Sequence, residues 1–176
     1  MADYHSPTVI QPFIPLCEMS PLEHLLLGQM LQSEAGGAKG DCLYFFAELS
    51  PETYVTVNAG ELRAAYQASL DFESQILPAA KLWIDKIRDL DDDAETAFDF
   101  IFDVNLPYPA YQILLQDIVQ RSATVNYFTI EGAYTCTKMR PDGFGGIAGI
   151  VHAKGIKVQG TSELIERFIL EAGFSD

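Results

Sequence analysis

Thr124-Val-Asn-Tyr-Phe-Thr-Ile-Glu-Gly-Ala-Tyr-Thr-Cys136, then Thr137-Lys-Met-Arg-Pro-Asp-Gly-Phe-Gly-Gly146, then Ile147-Ala-Gly-Ile-Val-His-Ala153 decide the fold. The first run is rich in aromatic and β-branched residues and alternates in polarity, which predicts a half-buried strand. The second is dense in breakers: Pro141 fixes φ, and Gly143, Gly145 and Gly146 admit backbone shapes that other residues resist. The third returns as a strand. A long hairpin is therefore expected, with residues 137–146 as its connecting loop.

The chain has 176 residues and a 48% share of hydrophobic residues, enough for one domain with its own core. It contains no run of about 18 apolar residues, and none is expected to cross a membrane. The first residues, Met-Ala-Asp-Tyr-His-Ser-Pro, lack the basic and apolar regions of a secretory signal, so a cytoplasmic protein is expected. Cys17, Cys42 and Cys136 have no metal-like spacing and read as reduced structural thiols.

Net charge is −14, which argues against direct binding to nucleic acid or to an anionic membrane. The charge is unevenly spread. Residues 48–117 carry fourteen Asp/Glu against four Lys/Arg, whereas residues 121–160 carry two against five. The hairpin is the basic zone of an acidic protein.

Around it, residues 1–19 hold Pro7, Pro12 and Pro15 and read as an extended N-terminal arm. Ser20-Pro21-Leu22-Glu23 is a helix start with a capping serine, proline in first position and a glutamate able to reach back. The helix turns Leu22, Leu25, Leu26 and Met30 to one side and Leu27 and Leu31 to the other. That second pair must be covered by the N-terminal arm, by a further layer or by another subunit; left at the surface it makes an apolar patch, and with it a homodimer. Leu43–Glu48 and Tyr54–Asn58 read as a hairpin, and helices are expected after Asn58 and over residues 79–90. Ala97–Val104 alternates like a strand. Pro109 opens a helix to Arg121 with Tyr111, Leu114, Leu115 and Ile118 inward and Gln112, Gln116 and Gln120 outward. Followed by the long strand, this makes a candidate crossover unit. A last helix begins near Gly160 with Leu164, Ile165, Phe168 and Ile169 as its core face. The expected class is α+β: a mostly antiparallel sheet with helices packed on it, in a single domain.

Cys136-Thr-Lys-Met-Arg-Pro-Asp-Gly-Phe-Gly-Gly146 resembles a segment found in a family of small bacterial, chiefly alphaproteobacterial, proteins without an assigned activity. The likeness extends in pieces to Cys17–Leu27, Leu43–Glu48 and Gln116–Ser122. It implies a bacterial, cytoplasmic, single-domain protein and transfers no functional residue.

No reaction motif stands out. Gly143-Phe-Gly-Gly146 lacks the lysine and Ser/Thr of a phosphate-binding loop and leads into a strand, not a helix. The acidic run Asp91–Glu95 lacks the glycine and glutamate positions of a calcium loop. No metal or other cofactor is expected. Cys136 shares a strand face with Phe128, Ile130 and Tyr134 and reads as buried. If Cys136 faces Ile147 across the hairpin, Glu131 faces His152, a carboxylate–imidazole pair suited to proton transfer. Lys138, Arg140, Asp142 and Phe144 in the loop are the candidate ligand-binding residues, with Arg140 able to grip a carboxylate or phosphate. The favoured function is a non-catalytic binding or accessory protein that meets a small anionic ligand or a protein partner through residues 137–146. The alternatives are a small enzyme using Glu131 and His152 with Lys138 or Arg140 holding an anionic substrate, and an acidic mimic of nucleic acid.

Overall fold

Pro7, Pro12 and Pro15 divide the N-terminal arm into short extended pieces, and each piece joins the sheet. The computed structural model describes residues 3–99, 107–140 and 143–174. The pieces are β1 (Tyr4–His5), β2 (Thr8–Gln11) and β3 (Ile14–Pro15). Proline lacks an N–H and is tolerated where a ladder begins or breaks. The arm is therefore an interior strand in three parts. β1 and β2 pair with β8 (Tyr127–Cys136), while β2 and β3 pair with β5 (Cys42–Ala47). β9 (Gly145–His152) and β10 (Gly155–Gly160) extend the sheet beyond β8, and β4 (Gln32–Gly36) flanks β5 on its other edge. Every one of these pairings is antiparallel.

A second, two-stranded sheet joins β6 (Tyr54–Asn58) to β7 (Glu95–Asp99). This corrects two expectations. β5 and β6 do not form a hairpin, because both edges of β5 are already taken by β4 and by the arm. β7 and β8 lie in different sheets, so the segment between them is no crossover within one sheet. The expected strand over Ala97–Val104 appears as β7, ending at Asp99; residues 100–104 lie outside the described residues.

The helices are α1 (Pro21–Met30), α2 (Ala59–Ala68), α3 (Leu77–Lys86), α4 (Ala110–Arg121) and α5 (Thr161–Glu171). α4 packs on β8, β9 and β10, and α1 packs against α4 and α2. Ile10, Phe45, Phe128, Ile130 and Val151 form the sheet's inner face beneath them, each 1% exposed or less. Leu27 and Leu31 are buried within this layer, at 0% and 5% exposure, and make no surface patch. The apolar residues of α1 lie on all sides because the helix has neighbours on all sides. α5 behaves in the opposite way. Its expected core face is turned to solvent, with Ile165, Phe168 and Ile169 each about half exposed or nearly so, and only Leu164 is partly covered.

One ion pair ties α1 to α4. At the start of α1 the Ser20 Oγ accepts from the Glu23 N–H at 3.3 Å, and Glu23 Oε2 accepts from the Ser20 N–H at 2.8 Å. The same carboxylate takes Arg121 Nη2 at 2.6 and 2.8 Å, so one side chain caps a helix and binds a cation from the far end of another. Arg121 also donates to the Glu73 carbonyl at 2.6 Å and lies over the Phe72 ring. Burial pushes the Glu23 carboxyl above its ordinary range, against the pull of Arg121 and Ser20.

Removing the cation should leave a buried carboxylate uncompensated. Arg121→Met is expected to cost about 3–5 kcal/mol in urea unfolding at neutral pH. A loss under about 1 kcal/mol would contradict the role given to the pair. The pH dependence has a fixed sign. A carboxyl raised in the fold contributes stability below its unfolded value of about 4.3, and that contribution fades as pH climbs through the folded value. Glu23→Gln should remove this decline, so wild-type stability relative to the variant should fall as pH rises from about 4.3.

Candidate ligand-binding site

α4 is buried from Ala110 through Val119, polar residues included. Gln112 and Gln116, expected to face water, are 4% and 8% exposed. The reason is that α4 lies between the sheet and α1, which leaves it no wet side. Each buried polar group then needs a partner. Asp117 accepts from Ser74 Oγ at 2.6 Å and from the Gln75 backbone and side chain at 2.8 and 2.9 Å. Gln116 accepts from Gln75 Nε2 at 3.2 Å and donates to the His152 carbonyl at 3.3 Å. Gln112 is the exception. Its Nε2 donates to the Tyr111 phenol oxygen at 3.0 Å, but its Oε1 is buried with no donor.

That amide belongs to the wall of a cavity of about 760 Å³ at the N-terminal end of α4. The register explains why space remains there. Thr8, Gly132 and Ile147 stand in one row across β2, β8 and β9, on the face that α4 covers farther along. Gly132 brings no side chain to this row: a Cβ there would lie 2.9 Å from Ile147 Cγ1 and 3.3 Å from Thr8 Oγ1. Tyr134, one inward position farther along β8, and Tyr108 and Pro109, just before α4, close the sides. Pro51, Glu52 and Thr53 form the rim, and among the described residues Glu52 is the only charged one in the lining. Burial, with a smaller push from the nearby Tyr134, raises the Tyr111 phenol against the pull of its hydrogen bond with Gln112, so at neutral pH it keeps its proton.

The expected catalytic pair does not assemble. β8 and β9 pair with Glu131 opposite Ala148 and His152 opposite Tyr127, not with each other. The two side chains are four positions apart along the strands, about 13 Å. Glu131 instead borders a shallow groove on the outer face of the sheet with Val9, Ala148 and Leu164. His152 Nδ1 accepts the Lys154 N–H at 3.2 Å, within the β9–β10 turn. Lys138, Arg140 and Phe144 are exposed at the hairpin tip and line neither the cavity nor the groove; Asp142 lies outside the described residues. Cys136 is buried and its Sγ accepts the Lys138 N–H at 3.4 Å.

Among the described residues no cluster of three His, Cys, Asp or Glu is placed to hold a metal ion. Of the carboxylates between residues 85 and 99, Asp85 is taken by Lys81 and Arg88 and Asp92 by Arg63; Asp103 lies outside the described residues. No family model, no curated protein and no solved structure matches the chain.

Tyr111, Gln112 and Gly132 were legible only in part. A glycine inside an alternating strand signals close approach or missing side-chain volume, and Gly132 is such a residue. Gln112 gives no such signal.

If the Gln112 amide serves a ligand and not the fold, replacing it should be harmless to stability. Gln112→Met keeps the volume and removes the orphan acceptor, so stability should stay the same or rise by about 1 kcal/mol. A loss above about 2 kcal/mol in urea unfolding would make the amide structural.

Proposed function

We propose that this protein is a non-catalytic binding protein that holds a small, uncharged, largely apolar molecule in the cavity beneath the N-terminus of α4. The observation that carries this reading is the cavity itself, about 760 Å³ and lined among the described residues mostly by apolar and aromatic side chains with a few polar groups. Concave, mostly apolar spaces with a few polar groups are where small molecules bind. The volume lies within the range of small-molecule sites, about 300–1,000 Å³. An anionic ligand held by Lys138 or Arg140 has less support, since neither cation lines the cavity and no cation among the described residues does. The free thiols of Cys17, Cys42 and Cys136 support a reducing, cytoplasmic setting, and the segment at Cys136–Gly146 supports a bacterial one.

The test uses N-phenyl-1-naphthylamine, a neutral fluorophore that brightens in apolar surroundings. The wild type should bind it saturably with one site. Thr53→Trp, on the exposed rim, should block the mouth and weaken binding at least tenfold with unchanged far-UV circular dichroism. Arg140→Ala, at the hairpin tip, should leave binding unaltered. Equal binding by wild type and Thr53→Trp, or loss of binding on Arg140→Ala, would overturn the assignment.

A further inference from the structure

Two neighbouring surfaces of the chain, both away from the cavity, are apolar and uncovered. The first belongs to α5. Helical spacing puts Leu164, Ile165, Phe168 and Ile169 in one stripe, and the last three are 56%, 53% and 45% exposed. Phe174 folds back on the helix end, its N–H donating to the Ile169 carbonyl at 3.1 Å, and is 70% exposed. The second surface is the outer face of the large sheet, opposite the face that α4 covers. The registers set Phe46, Val9, Glu131, Ala148 and Gln159 in one row, with Ile150 and Lys157 in the next. Leu164 borders a groove of about 630 Å³ on this face with Val9 and Ala148, where α5 leaves the sheet.

The two surfaces carry opposite charge. On α5, Glu166 and Glu171 flank the apolar stripe, and the one cation of the helix, Arg167, pairs with Glu171 at 3.8 Å. On the sheet, Lys154 and Lys157 are exposed beside Ile150, and no carboxylate among the described residues pairs with either. Glu131 is the one carboxylate of the two rows. An anionic lipid surface is a poor cover for α5, given its three glutamates and a net charge of −14. A second copy of the chain supplies what each surface lacks: an acid-edged apolar helix for the sheet, and a base-edged apolar sheet for the helix. A two-fold axis makes both contacts at once.

The area is of the right size. Aromatic side chains offer about 150–250 Å² each, so the α5 stripe with Phe174 exposes on the order of 400 Å² of apolar surface, large for a patch left in water. Helix and sheet row together approach the roughly 800 Å² that each partner gives to a stable interface.

We propose that this surface joins two copies of the chain, α5 of each lying along the outer groove of the other. Ile165 and Phe168 then rest on Val9, Ala148 and Ile150 of the second copy, with Glu166 beside its Lys157. The interface is independent of the cavity and of what the cavity holds.

Sedimentation equilibrium of the full chain, with reductant to keep the thiols apart, tests this from the micromolar to the millimolar range. The wild type should be a dimer. Phe168→Glu and, separately, Ile165→Glu should weaken it at least a hundredfold, with far-UV circular dichroism unchanged because both positions are about half exposed. Lys157→Glu should weaken it about tenfold, and adding Glu166→Lys should restore it. A monomeric wild type overturns the proposal, whether or not the chain then binds phosphatidylcholine vesicles. So does a dimer that survives Phe168→Glu and Ile165→Glu. A dimer lost in those variants but indifferent to Ile150→Glu and Lys157→Glu would mean that the helices meet only each other, and would overturn the docking of helix on sheet.

Discussion

The structure depends on burying a helix that is not apolar. α4 has Gln112, Gln116 and Asp117 within its buried span and Arg121 at its end, and it lies between the sheet and α1. Such a placement is tolerable only if each polar group finds a partner, since a buried one left alone costs about 1–3 kcal/mol. The turn at residues 73–75 meets the demand of Asp117, Gln116 and Arg121, and Glu23 completes that of Arg121. The pairing also fixes where α1 and the turn must sit, because neither can shift without exposing an unpaired charge. Only at the helix's first turn does the pattern break, beside a space that no side chain among the described residues fills.

The break and the space have one origin. β8 carries glycine where its partner rows carry Thr8 and Ile147, and the loop at Pro51–Thr53 covers the opening without filling it. A side chain at Gly132 would fill the floor. The cavity beneath the start of α4 is therefore a consequence of the glycine in β8 and of the loop that borders it.

Much of the fold was legible in the sequence, and what was not has definite causes. The α+β class, the start of α1 at Ser20-Pro21 and the long hairpin follow from local rules: capping, proline position and alternation. The hairpin register did not, because β8 runs two residues beyond its ladder with β9, which ends at Tyr134 and Gly145, to pair with β1 at His5–Thr135 and Tyr4–Cys136. Its end is set by a distant strand, so counting back from Cys136 misplaced Glu131 and His152. Helix faces failed for a related reason. Periodicity shows that a helix has an apolar side but not how many sides are covered. α1 and α4 are enclosed, so Leu27, Gln112 and Gln116 are all buried, whereas α5 shows a clear amphipathic pattern and leaves Phe168 in water. The candidate site was the least legible of all. It depends on which strands lie beside Gly132 and on what surrounds α4, and both are decided by long-range pairing.

The most direct measurement is a proton–nitrogen correlation spectrum of the glutamine side-chain amides, with the Gln112 signal identified by its absence in Gln112→Met. Adding N-phenyl-1-naphthylamine to saturation should move the Gln112 amide, which borders the cavity, while Gln75, packed with Gln116 and Asp117, keeps its position. Shifts confined to backbone amides of the hairpin tip around Lys138 to Phe144, with Gln112 unmoved, would contradict a ligand site beneath α4.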